Sequence, residues 1–416
     1  MQNNKTPEIR FKRFTDDWEQ RKLGEFGKAT GGTSLESEFV EKGNYKVISI
    51  GSYSETSKYN DQGLRTNKTP KTESKILNKD DLTMILNDKT AAGNIIGRVL
   101  LIDADNSYVY NQRTERIEVY KEDFEPSFLY QLLNAENIRS KIIKASQGNT
   151  QIYVNWSSIS ELEYLIPKVK SEQKKIATIL NNLDNLITLH QRKHDKLISF
   201  KKAMLEKMFP KENEKVPEIR FQGFTDDWEQ RKLSNLVDFS KGAGYSKNDL
   251  VESGTPIILY GRLYTRYETR ISNVDTFVNA LDNSVYSEGG EVIVPASGET
   301  AEDISRASVV GEKGIILGGD LNILMPRKEI DSVFLALTLS HGKQQREISK
   351  VAQGKTIVHI HNDDLRKVDL SYPANEIEQK KIGQYFLNLD NLITLHQCKL
   401  EKLKNIKKSM LEKMFV

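Results

Sequence analysis

Two polar loops of this chain carry residue types that suit contact with nucleic acid. Residues 57–75, SKYNDQGLRTNKTPKTESK, hold five Lys or Arg against two acids, and residues 260–270, YGRLYTRYETR, interleave Tyr with Arg. Lys and Arg side chains reach phosphates, while Arg, Asn, Gln and Thr can hydrogen-bond to base edges. The pattern favours DNA contact by residues 260–270, whereas for residues 57–75 DNA contact and a solvated turn stay equally open.

One segment resembles part of a nucleotide-binding loop. Residues 349–356, SKVAQGKT, end in Gly-Lys-Thr, but Ser349 stands where a phosphate-binding loop needs its first glycine. The corresponding residues of the first half, 147–150, lack the lysine. The sequence therefore favours a backbone turn or a DNA phosphate contact over an ATP site.

The histidines do not form a convincing metal site. His190 and His194 are four residues apart, but the second half has His396 followed by Leu400 at these positions. A polar residue that sets the register of paired helices is the favoured interpretation of His190 and His396. His359 and His361 have no nearby Cys or acidic pair, so they indicate a DNA contact or a surface pair. No metal site is predicted.

Composition sets broad limits on the protein. The chain has 416 residues, a net charge of +3, 38% hydrophobic residues and one cysteine. We expect two or three folded domains, no internal disulfide and no membrane span, because the longest apolar runs are far shorter than about 20 residues. The polar N-terminus is not a secretion signal, so a cytoplasmic location is expected.

The chain consists of two similar halves. PEIRFKRFTDDWEQRKL at residues 7–23 recurs at 217–233 with 15 of 17 positions identical, and residues 183–209 recur at 389–415 with 20 of 27 identical. Between these repeated segments, residues 24–146 and 234–352 have little in common. Two different modules thus occupy one duplicated frame, which suggests one task performed on two targets.

The end of each half predicts a long helix. Apolar residues alternate at spacings of three and four, which is typical of a coiled-coil seam. From residue 171 to 208 the first helix would be about 57 Å long at about 1.5 Å per residue, and the prolines after it favour an antiparallel pair. The predicted seam residues are Ile176, Ile179, Leu183, Leu186 and Leu197 in the first helix and Ile382, Leu389, Leu392 and Leu403 in the second.

Further apolar residues lie off these seams. The apolar surface of each helix is therefore larger than one partner helix can cover. Together with aromatic residues of the repeated openings, they predict an interface with another subunit. Trp18 and Trp228 have packing inside the module as an alternative role. The candidates for the partner interface are Phe11, Trp18, Leu180, Ile187, Leu189, Phe221 and Trp228.

The modules themselves combine short β-rich runs with helical stretches, which predicts an α/β (α+β) fold. We expect two target-binding domains separated by two long antiparallel coiled-coil helices. The expected boundaries are 1–170 for the first domain, 171–209 for the first helix, 210–216 for a linker, 217–376 for the second domain and 377–416 for the second helix.

The repeated motifs resemble those of the specificity subunit of type I restriction-modification systems. The resemblance covers essentially the whole chain, in the order opening, variable module, Gln-Gly-X-Thr segment, Pro, EQKKI and long helix, repeated twice. The motifs are WEQRKL at 18–23 and 228–233, QGNTQIYVNWSSISELEYLIP at 147–167, QGKTIVHIHNDDLRKVDLSYP at 353–373, and EQKKI at 172–176 and 378–382.

The resemblance implies a subunit with two target-recognition domains, each reading half of a split, asymmetric sequence in double-stranded DNA. It implies assembly with two modification subunits, which hold S-adenosylmethionine and methylate adenine, and with restriction subunits that use ATP and Mg to translocate and cut DNA. It implies no cofactor and no catalytic residue in this chain. A methyltransferase of this class would carry Asn/Asp-Pro-Pro-Tyr/Phe, and the chain contains no Pro-Pro.

Two other functions remain open on the sequence alone: a coiled-coil scaffold whose modules bind proteins, and a nuclease or methyltransferase with an unfamiliar site. For DNA recognition, the candidate contacts are polar residues of exposed loops. They are Lys58, Arg65, Asn67, Lys68, Lys89, Thr90, Asn94, Gln112 and Arg113 in the first module and Lys241, Tyr260, Arg262, Tyr264, Arg266, Arg270, Ser297, Glu299 and Lys355 in the second.

Overall fold

The protein folds as two compact units. The structure is a computed structural model that describes residues 6–351 and 358–415. Unit 1 comprises Met1–Leu189 and Lys399–Val416, and unit 2 comprises His190–Cys398. The unit boundaries fall inside the two long helices rather than in the polar linker at 210–216, so each helix contributes residues to both units.

Unit 1 contains short strands and helices that precede one long helix. Its strands are β1 (Glu19–Lys22), β2 (Gly27–Gly31), β3 (Phe39–Val40), β4 (Tyr45–Ile48), β5 (Arg65–Thr66), β6 (Leu82–Ile85), β7 (Asn87–Asp88), β8 (Val99–Leu101), β9 (Tyr108–Tyr110), β10 (Thr114–Val119), β11 (Ile152–Tyr153) and β12 (Glu163–Ile166). Its helices are α1 (Pro70–Glu73), α2 (Pro126–Asn134), α3 (Glu136–Lys144), α4 (Trp156–Ile159) and the first part of α5 (Lys170–Lys207).

Two four-stranded sheets form the body of unit 1. One has the order β2-β10-β6-β8 and is antiparallel, and the other has the order β3-β5-β4-β9 with β4 parallel to β9. Every residue of β6 is buried, as expected for a strand covered on both faces. Helix α2 packs against β8, and its buried Phe128 and Leu132 belong to the main core of the unit.

Unit 2 contains a matching strand for each strand of unit 1, together with one additional strand and a different placement of the short helices. Its strands are β13 (Glu229–Lys232), β14 (Val237–Lys241), β15 (Leu250–Val251), β16 (Thr255–Ile258), β17 (Arg270–Ile271), β18 (Phe277–Val278), β19 (Val292–Pro295), β20 (Ser297–Gly298), β21 (Ser308–Val310), β22 (Ile316–Leu317), β23 (Leu321–Pro326), β24 (Val358–His359) and β25 (Asp369–Tyr372). Its helices are α6 (Arg262–Thr265), α7 (Ala301–Ile304), α8 (Ser332–Ser340), α9 (Gly342–Val351), α10 (Asn362–Leu365) and most of α11 (Glu376–Met414).

The sheets of unit 2 match those of unit 1 strand for strand. The orders are β14-β23-β19-β21-β17 and β15-β18-β16-β22, so the first sheet gains one parallel edge strand, β17. The prediction of two mixed α/β units in an internally repeated chain is confirmed. No helix within the described residues is long and apolar enough to cross a membrane.

The same buried ion pair links the first repeated motif to the EQKKI motif in each unit. Both Nε and Nη2 of Arg10 donate to the carboxylate of Glu172, at 2.7 and 2.9 Å, and Arg220 does the same to Glu378 at 2.7 and 2.8 Å. Both glutamates are almost fully buried. A bidentate pair of this kind fixes orientation as well as distance, which explains why both motifs recur intact.

The glutamine of EQKKI connects the long helix to the module. Gln173 accepts a hydrogen bond from the backbone N–H of Glu125 at 2.9 Å and donates to the carbonyl of Pro167 at 3.0 Å. Gln379 makes the matching bonds with Asp331 and Pro373. Because Glu125 and Asp331 cap helices α2 and α8, this glutamine holds the start of each long helix against the module's central helix.

The core of each unit is completed by the end of a long helix. In unit 2, Phe209 packs against Trp228, Phe334 and Phe386 with ring centroids 5.7 to 6.2 Å apart. In unit 1, Phe415 packs against Phe128 at 5.8 Å. Equivalent backbone hydrogen bonds join each helix end to a repeated opening segment. The N–H of Ile219 donates to the carbonyl of Lys207, and the N–H of Ile9 donates to the carbonyl of Lys413. Unit 1 therefore contains both ends of the described chain.

The long helices pack antiparallel within each unit. In unit 1, Lys407 bonds to Asp184 at 2.7 Å, and in unit 2, Lys201 bonds to Asp390 at 2.5 Å. These two ion pairs are copies of each other under the 206-residue repeat. In unit 2, the Nδ1 atoms of His190 and His396 are 2.8 Å apart. From Asp184 to His190 to Lys201 in the first helix, the contacted residues of the second helix run backwards, from Lys407 to His396 to Asp390. The predicted antiparallel arrangement is therefore confirmed.

The structure corrects the middle of both predicted seams. Leu186 and Leu392 are 43% and 44% exposed, so they do not face the other helix. Ile187, predicted to lie off the seam, is partly buried instead. Leu186 and Ile187 are adjacent and both apolar. They lie three and four residues after Leu183, and either spacing fits the helical period, so the sequence pattern does not distinguish them. Of the remaining seam residues, Ile176, Ile382 and Leu389 are buried, and Ile179, Leu183, Leu197 and Leu403 are partly buried.

Several residues predicted for a partner interface lie inside the units. Trp18, Trp228 and Leu180 are 2%, 4% and 0% exposed and belong to the cores of their own units. Phe11 and Phe221 pack against those cores. These side chains complete the repeated frame, so the interface assignment of Trp18, Trp228 and Leu180 is wrong. Leu189 remains 47% exposed.

A buried acid makes the stability of unit 1 depend on pH. Glu115 lies on β10 and is 6% exposed. Burial raises the pKa of its carboxyl to about 7, and the nearby Lys75 partly offsets this shift. The folded state binds this proton more tightly than the unfolded state, so stability is lost as pH rises from about 4.5 to about 7.

Replacing Glu115 should remove this pH dependence. Relative to the wild type, the Glu115→Gln variant is expected to gain about 1–3 kcal/mol of unfolding free energy between pH 4.5 and pH 8. Urea unfolding at both pH values measures the gain. The control is Glu118→Gln, which changes an exposed acid of the same strand. An equal pH response of both variants would contradict the buried-charge explanation.

The helix-end phenylalanine should contribute strongly to stability. Phe209→Ala removes an aromatic ring that is 8% exposed, so the free energy of unfolding is expected to fall by about 3–5 kcal/mol. Phe200→Ala, in helix α5 and 46% exposed, should change it by less than about 1 kcal/mol. Chemical denaturation of both variants checks the difference, and equal losses would show that Phe209 does not complete the core.

Candidate nucleic-acid interface

Unit 1 has a polar cavity of about 240 Å³ that gathers residues from five parts of the module. Asn87 lies in β7, Asn111 follows β9, and Glu36 begins a 3₁₀ turn, Glu36–Glu38. The complete lining is Glu36, Ser49, Ile50, Asn87, Lys89, Asn111, Gln112, Arg113 and Gln151. Because strand ends and short turns supply these side chains, the sheets hold them in place while leaving their polar groups accessible.

The carboxylate of Glu36 is the most firmly held polar group of this cavity. Asn111 donates to its Oε1 at 3.0 Å and Gln112 donates to the same atom at 3.1 Å. Ser34 donates to Oε2. Asn111 is itself fixed, since its Oδ1 accepts from the N–H of Leu35 at 2.8 Å. The hydroxyl of Ser34 and the amide of Asn111 lower the pKa of Glu36 to about 2, so the side chain is ionised at neutral pH.

Two cationic side chains line the cavity beside this carboxylate. Lys89 follows β7, and Arg113 joins β9 to β10. Arg113 has a φ of 65°, which is uncommon for a residue other than glycine. Its backbone carbonyl accepts a hydrogen bond from the N–H of Leu86. Asn87 is 4% exposed, and its Oδ1 has no hydrogen-bond partner among the described residues. The cavity thus combines an ionised acceptor with flanking cations.

Three of the predicted DNA contacts of the first module, Lys89, Gln112 and Arg113, are brought together in this cavity. The other predicted residues are dispersed and hold protein partners. Arg65 pairs with Asp61 and Lys68 with Glu73. The remaining bonds join Lys58 to Thr188, Thr90 to Asp88, Asn94 to Glu55 and Asn67 to Asn44.

The Tyr/Arg run of the second module is largely neutralised by its own acids. The Arg262 side chain is 8% exposed, with Nη2 at 2.8 Å from Glu268 and Nη1 at 2.8 Å from Asp275. Arg266 also bonds to Asp275 at 2.8 Å but stays 54% exposed. Arg262 and Arg266 together lower the pKa of Asp275. Arg262 therefore organises the loop, while Arg266 remains accessible to a ligand.

Tyr264 and Ser297 form a second cluster in unit 2. The Tyr264 hydroxyl donates to the carbonyl of Ser297 at 2.7 Å, and Ser297 Oγ lies 3.0 Å from Nδ1 of His359. Burial raises the pKa of Tyr264. Strands β20 and β24 pair here through Ser297 and His359, so the cluster sits on backbone held by a ladder. His359 joins this group although sequence analysis left it as a contact or a surface residue.

The other predicted residues of the second module lie around these two groups. Tyr260 contacts Tyr264 edge to face at 5.8 Å, and Arg270 lies in β17 with an exposed side chain. Lys241 ends β14 and is exposed, as is Glu299 after β20. Lys355 lies outside the described residues.

The two units place opposite charges at equivalent points. Glu36 begins the 3₁₀ turn between β2 and β3, and Lys247 begins the matching turn, Lys247–Asp249, between β14 and β15. One unit thus presents an acceptor where the other presents a donor. Asn87 of β7 likewise corresponds to Ser297 of β20. The shared architecture presents a different set of polar groups in each unit.

Sequence analysis missed Glu36, Asn87 and Asn111. The DNA contacts were predicted mainly from loops rich in Lys and Arg, whereas these three residues are an acid and two amides in separate segments. A Ser-Leu-Glu turn directly before a β-rich run was the one available signal, and it does not identify a site by itself. Among the described residues, no group of three or more His, Cys, Asp or Glu could hold a metal ion.

Comparison with known proteins gives one consistent result. The family model for the type I restriction modification DNA specificity domain matches residues 15–198 and 225–405. The MjaVIII type I restriction enzyme specificity subunit of Methanocaldococcus jannaschii is 23% identical over 414 residues, covering 96% of this chain and 92% of that protein. The crystal structure of a type I restriction-modification S subunit from M. genitalium covers 99% of both chains with a TM-score of 0.60 and 18% identity. That structural likeness shows the fold.

Because Arg262 is buried and Arg266 is exposed, we expect their replacement to change the stability of the protein by different amounts. Arg262→Ala leaves Glu268 and Asp275 without their buried partner, so the free energy of unfolding should fall by about 1–3 kcal/mol. Arg266→Ala removes one exposed pair and should cost less than about 1 kcal/mol. Urea denaturation compares the two. If Arg266→Ala destabilises the chain as much as Arg262→Ala, then Arg262 has no special structural role.

Proposed function

Since the chain belongs to the type I restriction-modification DNA specificity family, we propose that each unit reads one half of a split, asymmetric sequence in double-stranded DNA. Members of this family are DNA-recognition subunits and not catalytic ones, so this chain is not an enzyme. The half-sites would be separated by bases that neither unit reads.

The observation that carries this proposal is one architecture built twice with different polar loops. The frame residues repeat, as in the pairs Arg10–Glu172 and Arg220–Glu378. The loop residues do not, since the polar cavity of unit 1 corresponds to a Tyr, Arg and Ser cluster in unit 2. Identical frames with different hydrogen-bonding groups suit two readers of unlike base sequences.

The long helices would set the spacing of the half-sites. Each is continuous over 38 or 39 residues and forms an antiparallel contact within each unit. Because both helices are continuous, we expect their length to set the gap between the half-sites. The half-site centres should then lie about one DNA turn, or about 10 bp, apart.

The chain would also scaffold two modification subunits and, through them, restriction subunits, in the cytoplasm. S-adenosylmethionine, ATP and Mg would be bound by those partners. Apolar residues on the outer side of each helix support a protein partner: Leu186 and Leu189 in unit 1 are 43% and 47% exposed, and Leu392 and Leu395 in unit 2 are 44% and 47% exposed. The repetition of this pattern suits two copies of one partner.

Exchange of the modules tests the proposal. Cells expressing the chain with its modification subunit should carry adenine methylation at one split motif. Replacing residues 24–146 with the module of an unrelated family member should change one half of the motif, and replacing 234–351 should change the other. Both exchanges leave the Arg10–Glu172 and Arg220–Glu378 pairs in place.

Genome-wide methylation mapping of the exchanged chains provides the measurement. The control is a chain in which residues 24–146 are replaced by the module of a relative that specifies the same half-site, and its motif should stay unchanged. A continuous motif, or one that ignores both exchanges, would instead identify the chain as a scaffold and assign sequence reading to another subunit.

A further inference from the structure

We propose that Glu36 determines specificity in unit 1 by accepting a hydrogen bond from the exocyclic amino group of a cytosine or an adenine. This inference rests on the proposed DNA-reading function and names the chemistry that one residue recognises. Cytosine N4 and adenine N6 are the amino donors that the major groove exposes. Guanine O6 and thymine O4 are acceptors there, so a fixed carboxylate would repel them.

Glu36 retains acceptor capacity in its bound network. A carboxylate offers about four lone-pair sites, and three side-chain donors reach Glu36, from Ser34, Asn111 and Gln112. The backbone N–H of Glu36 is a fourth donor, so an approaching amino group would share a lone-pair site with one of these donors. The low pKa of Glu36, about 2, ensures that this site belongs to a carboxylate and not to a protonated acid that could donate.

The bonds that hold Glu36 also restrict its orientation. Asn111 is 6% exposed and is anchored by the N–H of Leu35 at 2.8 Å, so it forms a rigid support. An acceptor held in this way loses little conformational entropy when a base approaches. Glu36 itself is exposed, which lets a base edge reach it without displacing core residues. Asn111 and Gln112 act as positioning residues.

The surrounding charge allows DNA to approach this acid. Lys89 and Arg113 line the same cavity, and both can reach phosphates on either side of a base. Without such cations, the carboxylate would be repelled by the DNA backbone. The cavity therefore separates two tasks, with phosphate contact assigned to Lys89 and Arg113 and base discrimination assigned to Glu36.

Unit 2 supplies an independent reason to assign specificity to this position. The equivalent residue is Lys247, whose ammonium can only donate hydrogen bonds. A change from acceptor to donor at the same point of a repeated fold is expected where the two units read different bases. A purely structural role would not require opposite charges at this turn.

The test uses the full chain with its modification subunit, selected against randomised duplex DNA. The wild type should select a split motif in which one half-site has a fixed base pair that Glu36→Gln relaxes. Glu36→Gln should reduce that preference about tenfold, because loss of a charge-assisted hydrogen bond is of this size. The other half-site should stay unchanged. Glu38→Gln, in the same 3₁₀ turn but outside the cavity lining, is the matched control and should select the wild-type motif.

A second measurement uses the wild-type chain and altered DNA, so that it needs no variant to fold. The selected cytosine is replaced by 2-pyrimidinone, or the selected adenine by purine, which removes only the amino group. Wild-type affinity should fall about tenfold, whereas Glu36→Gln should lose less than about threefold. The analogue that has this effect identifies the base.

Gln112→Ala provides a positioning test, since it removes one exposed donor and leaves the carboxylate. Discrimination at the same base pair should weaken by a few fold, while binding to other positions stays unchanged. If Glu36→Gln keeps the wild-type motif, or weakens binding equally for every sequence, the assignment of Glu36 is overturned while bipartite reading stands. If the wild type selects no split motif, the proposed function itself fails.

Discussion

The fold of each unit depends on one packing event, the insertion of the end of a long helix into its core. Phe209 completes unit 2 among Trp228, Phe334 and Phe386, and Phe415 completes unit 1 against Phe128. Because helix α5 begins in unit 1 and ends in unit 2, the core of unit 2 includes residues of the first sequence repeat. The linker between the repeats is therefore not a boundary between folding units. A helix that is fixed at both ends is suited to act as a spacer.

The repeated frame and the variable polar groups occupy different parts of each unit. Glu172 and Glu378 are almost fully buried, and their pairs with Arg10 and Arg220 join the repeated opening segment to the long helix. The polar cavity of unit 1 is formed by strand ends and turns elsewhere in the module. Substitutions at Glu36 or Gln112 therefore change surface chemistry without removing core contacts. This separation allows one frame to carry different sets of polar groups, as the proposed function requires.

The repeated frame could be predicted from the sequence, whereas the site could not. Near-identical segments and three-four spacing identify the duplicated modules and antiparallel helices, because these features depend on local pattern. The choice between Leu186 and Ile187 at the helix contact depends on tertiary packing, since both residues are apolar. Trp18 and Leu180 were assigned to an interface because spacing does not distinguish a core from a partner surface. Glu36, Asn87 and Asn111 come together only through the pairing of strands far apart in the chain.

The composition of the units has a consequence for the order of biosynthesis. Unit 2 is a single continuous stretch, His190–Cys398, whereas unit 1 needs Lys399–Val416 to be complete. A ribosome releases the chain from its N-terminus, at about 5–20 residues per second. All the residues of unit 2 are therefore made before unit 1 can close, although most of unit 1 is made first. Synthesis of residues 190–415 takes about 10 to 45 seconds at this rate. During this time the core around Phe128 lacks Phe415, so part of its apolar surface stays uncovered.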